Sequence, residues 1–474
     1  MKTSASELAA ATPAHRDRYI DLLRAASLGT VVLGHWLMAA VTAEGDGRAQ
    51  VGNLLAVEPR LQPVTWLLQV MPVFFFVGGF SHALSYRSLR KRAGAGAGAG
   101  DGGAEVRTGL YPAFLRARLQ RLLRPTMVFI AVWAAGALAV QLLGGDGPLT
   151  DVAARLVAQP LWFIGIYLAM VAFTPPLLRL HERYGWGAFG ALAGAAAAVD
   201  VLRFGFGVPY VEFLNFAFVW LAVHQLGFLR ADGRLSAAGL RVPASLALCG
   251  LAGAAALVAF GPYPLSMVGM PGEKVSNMAP PTLALLFHGL WLTGAVELLR
   301  APAARLLARP RVWRGVVVAN GVAMTAFLWH LTAMLGVYGL LLALDVPLPA
   351  PATPAWWAQA PVRMAAAAAL TALLVAAFRR FERPAAARPR AGAGASGARP
   401  TGAVARRASS PAAAAGVTLC LLGVLGLSMV GFGGLLDGRT ALLIAVHITA
   451  PAAVAMAVFG WLLVETAGRR TLRP

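Results

Sequence analysis

The chain has 474 residues, of which 58% are hydrophobic and 13% charged, and its mean hydropathy is +0.67. A soluble domain carries about 25% charged residues, so this composition excludes an ordinary water-soluble protein. The net charge of +21 would suit nucleic-acid binding, but the basic residues cluster in alternate short loops between apolar runs. We therefore expect a membrane protein that binds no nucleic acid.

Apolar runs long enough to cross a hydrocarbon core of about 30 Å recur along the whole chain. They predict an all-α fold, a polytopic transmembrane helix bundle of about twelve helices. The predicted helices lie near residues 19–42, 63–86, 125–144, 160–178, 188–203, 212–229, 244–261, 281–299, 317–342, 361–379, 415–436 and 440–464. The first ten form a core, and the last two form a separate C-terminal hairpin.

The distribution of Lys and Arg predicts the orientation of this bundle. The segments placed inside hold 33 of these residues and the segments placed outside hold 7, while Arg24 lies within the first helix. Cytoplasmic loops carry such an excess of positive charge. Both termini are therefore predicted to lie in the cytoplasm (N-in/C-in).

Composition also divides the chain into segments. We expect a cytoplasmic tail over residues 1–14, the ten-helix membrane domain over 15–383, and an accessory two-helix hairpin with its tail over 415–474. Residues 384–414 are rich in Ala, Arg, Pro and Gly and are predicted to be a flexible cytoplasmic linker. No outside loop is long enough to fold into a soluble catalytic domain, so any chemistry belongs to the membrane domain.

Ionisable residues within membrane helices are candidates for function, because a charge near the bilayer centre costs a few kcal/mol. In the first helix, Arg24 and His35 are eleven residues apart, close to three turns, so they share one face about 16 Å apart along the axis. His330 in the ninth predicted helix lies at about the depth of His35. Snorkelling of Arg24 to the interface and interhelical hydrogen bonding by the histidines are the alternative, structural interpretations.

Two further motifs flank this region. Gly78 and Gly79 allow the close approach of either a neighbouring helix or a ligand chain. The third predicted helix is preceded by four arginines that either set topology and contact anionic lipid or bind phosphate groups: Arg116, Arg118, Arg121 and Arg124.

These motifs together resemble the acyltransferase 3 family of membrane proteins. The resemblance covers about residues 15–384 and is carried by five motifs in order: Arg24 followed by ten residues and His35, the aromatic run Phe74–Phe80, Arg121–Pro125, Leu161–Leu168, and Phe327–His330. Gly78 stands where the family usually has Ser, and the last two helices lie outside the pattern. No single motif is specific, but the five occur in order and on the expected helices.

The resemblance implies acyl transfer from cytoplasmic acyl-CoA, such as acetyl-CoA, to a hydroxyl of a saccharide, cell-envelope glycan or secondary metabolite. It also implies that Arg24 and His35 are essential. We expect the chain in a bacterial plasma membrane, in contact with its lipids, with no metal and no permanently bound cofactor.

Physical reasoning then suggests roles for the candidates. Arg24 and the four arginines would bind the CoA phosphates, and the pantetheine arm would pass Gly78 and Gly79. His35 would act as general base, and His330 would orient the acceptor or polarise the thioester. Transient acylation of His35 is a second possible route.

Other classes of function are compatible with the helix count. A secondary transporter or flippase also has many helices and cytoplasmic termini, but the two halves of the chain show no convincing repeat. A membrane sensor or assembly factor is disfavoured by the short outside loops, which leave little surface for a ligand.

Overall fold

A computed structural model gives the fold of the chain. It describes residues 7, 12–13, 16–43, 49–96, 102–145, 147–270, 272–381, 402–436, 438–443 and 446–470. The predicted N-terminal tail, apart from residues 7 and 12–13, and residues 384–401 of the predicted linker lie outside the described residues.

The described residues are mainly helical. In chain order the helices are α1 Arg18–Met38, α2 Leu54–Val57, α3 Thr65–Leu68, α4 Met71–Gly96, α5 Gly102–Leu142, α6 Pro148–Leu156, α7 Pro160–Tyr184, α8 Trp186–Phe204, α9 Asn215–Ala231, α10 Arg241–Phe260, α11 Leu283–Leu298, α12 Arg300–Leu307, α13 Pro310–Asn320, α14 Ala323–Ala343, α15 Pro354–Phe378, α16 Gly402–Val430 and α17 Ala450–Arg470. Three short 3₁₀ helices lie at Pro59–Val64, Val211–Leu214 and Arg379–Phe381.

The predicted all-α bundle is confirmed. Within the described residues, ten helical segments are long and apolar enough to cross a membrane, and the pair α11 and α12, bent by 51°, makes up to eleven. Helix α1, the first predicted span, is not among these eleven segments. It is 21 residues long but carries Arg18, Asp21 and Arg24, which lower its hydropathy.

Two short β-hairpins replace predicted helix ends. Strand β1 (Ala39–Ala43) pairs antiparallel with β2 (Ala49–Asn53), so the first helix ends at Met38, before the predicted residue 42. Strand β3 (Thr440–Leu443) pairs with β4 (Val446–Thr449), so the last helix begins at Ala450 instead of residue 440. The Ala39–Ala43 segment is apolar enough to extend a helix but includes β-branched Val41 and Thr42, which favour strand.

Several other boundaries differ from the prediction. Helix α5 begins at Gly102 instead of residue 125, so the four arginines lie within this helix and do not precede it. Helix α16 begins at Gly402, within the segment predicted to be a linker. The predicted eighth helix continues through a bend into α12, in a segment predicted to be a loop. The predicted ninth helix is divided at Gly321 into α13 and α14, and Asn320 at the break donates through Nδ2 to the carbonyl of Asp21, 2.8 Å away.

The chain forms two compact units. The first comprises residues 1–83 and 176–376 and contains α1, β1, β2, α8–α14 and most of α15. Helix α1 packs there against α12, α13 and α14, and α10 packs along α11. The buried face of α1 follows helical spacing through Tyr19, Leu23, Ser27 and Leu28.

The second unit comprises residues 84–175 and 377–474. The predicted C-terminal hairpin is the antiparallel pair α16 and α17, and both helices pack on α5. Close contact between α16 and α17 depends on small residues: a Cβ at Gly460 would lie 2.4 Å from the backbone nitrogen of Cys420. Within this unit the hairpin is therefore part of a packed bundle with α5.

Candidate functional site

The N-terminal end of α1 is fixed by a buried ion-pair cluster. Asp17 is the N-cap of α1 and accepts from the backbone nitrogens of Tyr19 and Ile20. Its other carboxylate oxygen lies 3.0 Å from Nη2 of Arg230 on α9, and Nε of Arg230 lies 2.8 Å from Glu297 on α11. One arginine thus joins three helices at the N-terminal end of α1, the end that is predicted to be cytoplasmic.

Arg24 lies less than two turns further along α1. Its Nη1 lies 2.9 Å from Asp21 on the same helix, and its Nη2 donates to Oγ of Ser81 on α4 at 3.0 Å. The side chain keeps 32% of its exposure. The guanidinium is therefore oriented by two neighbours and is still accessible to a ligand.

The glycine pair on α4 packs against α9. A Cβ at Gly79 would lie 2.0 Å from the carbonyl oxygen of His224, and a Cβ at Gly227 would lie 2.3 Å from the carbonyl oxygen of Phe76. Helix packing therefore accounts for Gly79, and Gly78 is buried beside it. A role for either glycine along the pantetheine arm stays a prediction.

Two histidines cross this same helix contact. Nδ1 of His82 on α4 lies 3.0 Å from Nε2 of His224 on α9, and both side chains are fully buried. This is an interhelical hydrogen bond of the kind that polar side chains form between membrane helices. The pair holds α4 and α9 together one residue from Ser81, the partner of Arg24.

At the other end of α1, the structure brings His35 and His330 together. Their ring centroids are 5.1 Å apart, and the ring planes are inclined by 54°. His330 is fully buried on α14, while His35 is partly exposed. Helix geometry predicts a similar depth for these two residues. In the structure their two rings lie next to each other.

The hydrogen bonds of these two rings fix their tautomers. Nδ1 of His35 lies 2.8 Å from the carbonyl oxygen of Val31, and Nδ1 of His330 contacts the carbonyl oxygen of Phe327. A carbonyl oxygen only accepts, so each Nδ1 carries the proton when the ring is neutral. Each Nε2 then carries a lone pair, and Nε2 of His330 is buried without a hydrogen-bond partner among the described residues.

Trp36 holds the histidine pair in register. Its Nε1 donates to the backbone carbonyl of His330 at 3.0 Å, which links α1 directly to α14. Beyond it, the hydroxyl of Tyr338 donates to the carbonyl of Ala39 at 3.1 Å. These two side-chain hydrogen bonds therefore fix the position of α14 along the axis of α1. The distance between the two imidazoles depends on that position.

The four arginines predicted to bind phosphate lie on α5, in the second unit. Nη2 of Arg116 lies 3.2 Å from Glu465 on α17, and Gln120 donates to the same carboxylate. Arg121 is exposed, and Arg118 and Arg124 are partly exposed. Glu465 therefore already binds one member of the basic segment, and a phosphate-binding role for the four arginines stays a prediction.

Sequence reasoning missed the residues that position the site. Asp17, Trp36 and Ser81 support Arg24 and the histidines, and each acts through a helix far away in the sequence. The spacing of Asp21 and Arg24, at i and i+3, was a signal for their ion pair. Partners such as Arg230 can be identified only once it is known which helices pack against each other.

Comparison with known proteins identifies the family of the chain. The acyltransferase domain family, Acyl_transf_3, matches residues 17–379, which include Arg24, His35 and His330. No curated protein and no solved structure matches the chain. The chain therefore belongs to the acyltransferase 3 family and is a multi-pass membrane acyltransferase.

Proposed function

We propose that the protein is an O-acyltransferase of a bacterial plasma membrane that moves an acyl group, in the first instance acetyl, from cytoplasmic acyl-CoA. The acceptor is a hydroxyl of a saccharide, cell-envelope glycan or secondary metabolite. The observation that carries the proposal is the pair of imidazoles, 5.1 Å apart, with both Nδ1 atoms bonded to carbonyl oxygens. This arrangement leaves two basic nitrogens at one point of a membrane domain.

A neutral imidazole with a lone pair on Nε2 suits general base catalysis. In the proposed reaction, Nε2 of His35 takes the proton of the acceptor hydroxyl as its oxygen attacks the thioester carbonyl carbon. The tetrahedral intermediate then expels the CoA sulfur, which takes the proton from the imidazolium of His35. His330 lies beside this point and orients the acceptor hydroxyl. In the two-step alternative, Nε2 of His35 is itself acylated first.

Arg24 is the proposed contact for the phosphates of the donor. Arginine binds phosphate through planar, charge-assisted hydrogen bonds, and Ser81 and Asp21 hold this guanidinium while a third of the side chain stays exposed. Arg24 and His35 are separated by about 16 Å along α1. That separation suits a donor whose phosphates stay near the aqueous interface while its thioester reaches further into the membrane.

The test is release of free CoA thiol from acetyl-CoA by the full-length protein in membranes, with and without bacterial glycan or lipid extracts. His35→Ala should abolish extract-dependent release at equal amounts of folded protein. His447→Ala is the matched control, since His447 lies on β4 in the second unit and is exposed. Equal release by the wild type and His35→Ala would contradict the proposal.

A further inference from the structure

One buried arginine has no role in the site described so far. Arg363 lies in the first half of α15, and only 8% of the residue is exposed. Burying an arginine in a membrane protein is costly, and such residues are usually paired or face a functional cavity. A buried arginine without an acidic partner therefore requires another explanation.

The surroundings of this guanidinium are aromatic. Its Cζ lies 4.6 Å from the ring centroid of Trp356 and 5.8 Å from that of Tyr338, and Nη2 donates to the carbonyl of Trp356 at 3.1 Å. Nη1 is buried and has no hydrogen-bond partner in the described part of the chain. Among the described residues, no carboxylate forms an ion pair with it.

The same unit shows how the fold treats a structural arginine. Arg230 is buried to a similar degree, at 6% exposed, and is neutralised by two carboxylates, Glu297 and Asp17. Aromatic faces stabilise a cation by less than the desolvation of an ion costs. The charge of Arg363 is therefore not balanced within the part of the chain that the structure describes.

Arg363 lies beyond the histidine pair, away from Arg24. Tyr338, which it faces, follows His330 by two turns of α14, about 12 Å along the axis. Leu37, two residues after His35 on α1, packs against the cluster of Leu54, Trp356 and Ala360. In the direction of the α1 axis, Arg24 is therefore followed by the two histidines and then by Arg363 on α15. The charge distribution predicts that Arg363 lies toward the outer face.

We propose that Arg363 binds an anionic group, a phosphate or a carboxylate, of the acyl acceptor, and thereby selects acidic acceptors. The inference rests on the proposed acyl transfer, since it places the acceptor on the side of the histidines opposite the CoA phosphates. Nη1 supplies the hydrogen-bond donor, and the aromatic faces keep the guanidinium rigid and dehydrated, which strengthens a charge-assisted bond. The anion lies about two helical turns from the hydroxyl that is acylated.

The first experiment measures binding without catalysis. The thermal unfolding midpoint of the full-length protein in neutral detergent is recorded with glucose 6-phosphate, with glucuronate, and with glucose as the uncharged match. An acidic sugar should raise Tm more than glucose, and Arg363→Gln should lose this difference while it keeps the Tm shift produced by CoA. Short-chain phosphatidylglycerol tests whether the bound anion is a lipid headgroup and not a group of the acceptor. A shift with that lipid and with neither acidic sugar would overturn the acceptor assignment.

The second experiment tests whether Arg363 is structural. Arg363→Met should leave Tm equal or higher, because it removes an unbalanced buried charge and keeps the volume. Arg230→Met is the matched control and should lower Tm, because two carboxylates lose their partner. If Arg363→Met lowers Tm as much as Arg230→Met, the arginine serves packing and the proposal fails. Arg363→Lys keeps the charge and gives a second folded variant for the binding assay.

The third experiment ties the site to acyl transfer. A bacterial glycan extract is separated by anion exchange, and each fraction is assayed for CoA release by the wild type and Arg363→Gln. The retained, acidic fraction should carry the activity. Arg363→Gln should need about tenfold to 100-fold more of this fraction for the same rate, because it loses one charged hydrogen bond. Activity confined to the neutral fraction would overturn the proposal. If no fraction gives His35-dependent release, acyl transfer fails, while an Arg363-dependent Tm shift would still establish the anion site.

Discussion

The contact between α4 and α9 is the feature on which the position of Ser81, and through it Arg24, depends. In Gly79→Ala the new Cβ would lie 2.0 Å from the carbonyl oxygen of His224. Nonbonded carbon atoms prefer about 3.5–4.0 Å, so the helices must separate by more than about 1 Å. The obstacle is backbone, which no side-chain rotation relieves.

The size of the effect follows from two contributions. Overpacking a tight contact costs about 1–3 kcal/mol. Separation by 1 Å also takes the 3.0 Å contact between His82 and His224 beyond hydrogen-bonding range, which costs about 1 kcal/mol more. We therefore expect Gly79→Ala to lose about 2–4 kcal/mol of stability, a drop of several degrees in Tm, together with weaker use of acetyl-CoA as Ser81 moves from Arg24.

The assay is thermal unfolding in detergent together with the KM for acetyl-CoA. Gly194→Ala on α8 is the matched control, since no atom lies within 4 Å of its Cβ position, and its Tm should equal or exceed that of the wild type. A Tm of Gly79→Ala at the wild-type value would refute the packing argument. If such a variant also had a raised KM, Gly79 would face the donor, as the sequence motif suggests.

Three further substitutions test separate parts of the account. Arg24→Ala should raise the KM for acetyl-CoA by about tenfold or more, because a charge-assisted phosphate contact is lost. With acetyl-pantetheine as donor, which lacks these phosphates, the KM should not change. Equal effects on the KM for both donors would show that Arg24 does not bind phosphate. Arg230→Gln should destabilise the protein by about 3–5 kcal/mol, because it leaves the carboxylates of Glu297 and Asp17 without their partner, and an unchanged Tm would contradict this. Glu465→Gln should lower the KM for acetyl-CoA by up to about fivefold by freeing Arg116; an unchanged KM would assign Arg116 to packing of the C-terminal hairpin.

The helices were predictable because each span carries its own signal. Length and hydropathy identify twelve predicted spans, and the structure has a helix for each of them. The hairpins at residues 39–53 and 440–449 were missed, because short apolar segments next to a span look like its continuation. The bend between α11 and α12 was missed because a change of direction alters neither length nor composition.

The candidate site was predictable only along single helices. Helix geometry fixes the separation of Arg24 and His35, and depth within the membrane made His330 a candidate neighbour. Which helix faces which is decided by packing, so Trp36 and Ser81 could not be assigned as partners beforehand. The same holds for Arg363, whose burial among aromatic rings depends on the approach of α14 to α15.

The proposed reaction is His35-dependent transfer of an acyl group from CoA to a hydroxyl. The most direct measurement incubates the protein in membranes with acetyl-CoA labelled in the acetyl group and a bacterial glycan extract, and then follows the label. Label should enter an extract component in an ester bond that mild alkali releases, and His35→Ala should give none. Label transfer that persists in His35→Ala, or that resists mild alkali as an amide does, would contradict the account.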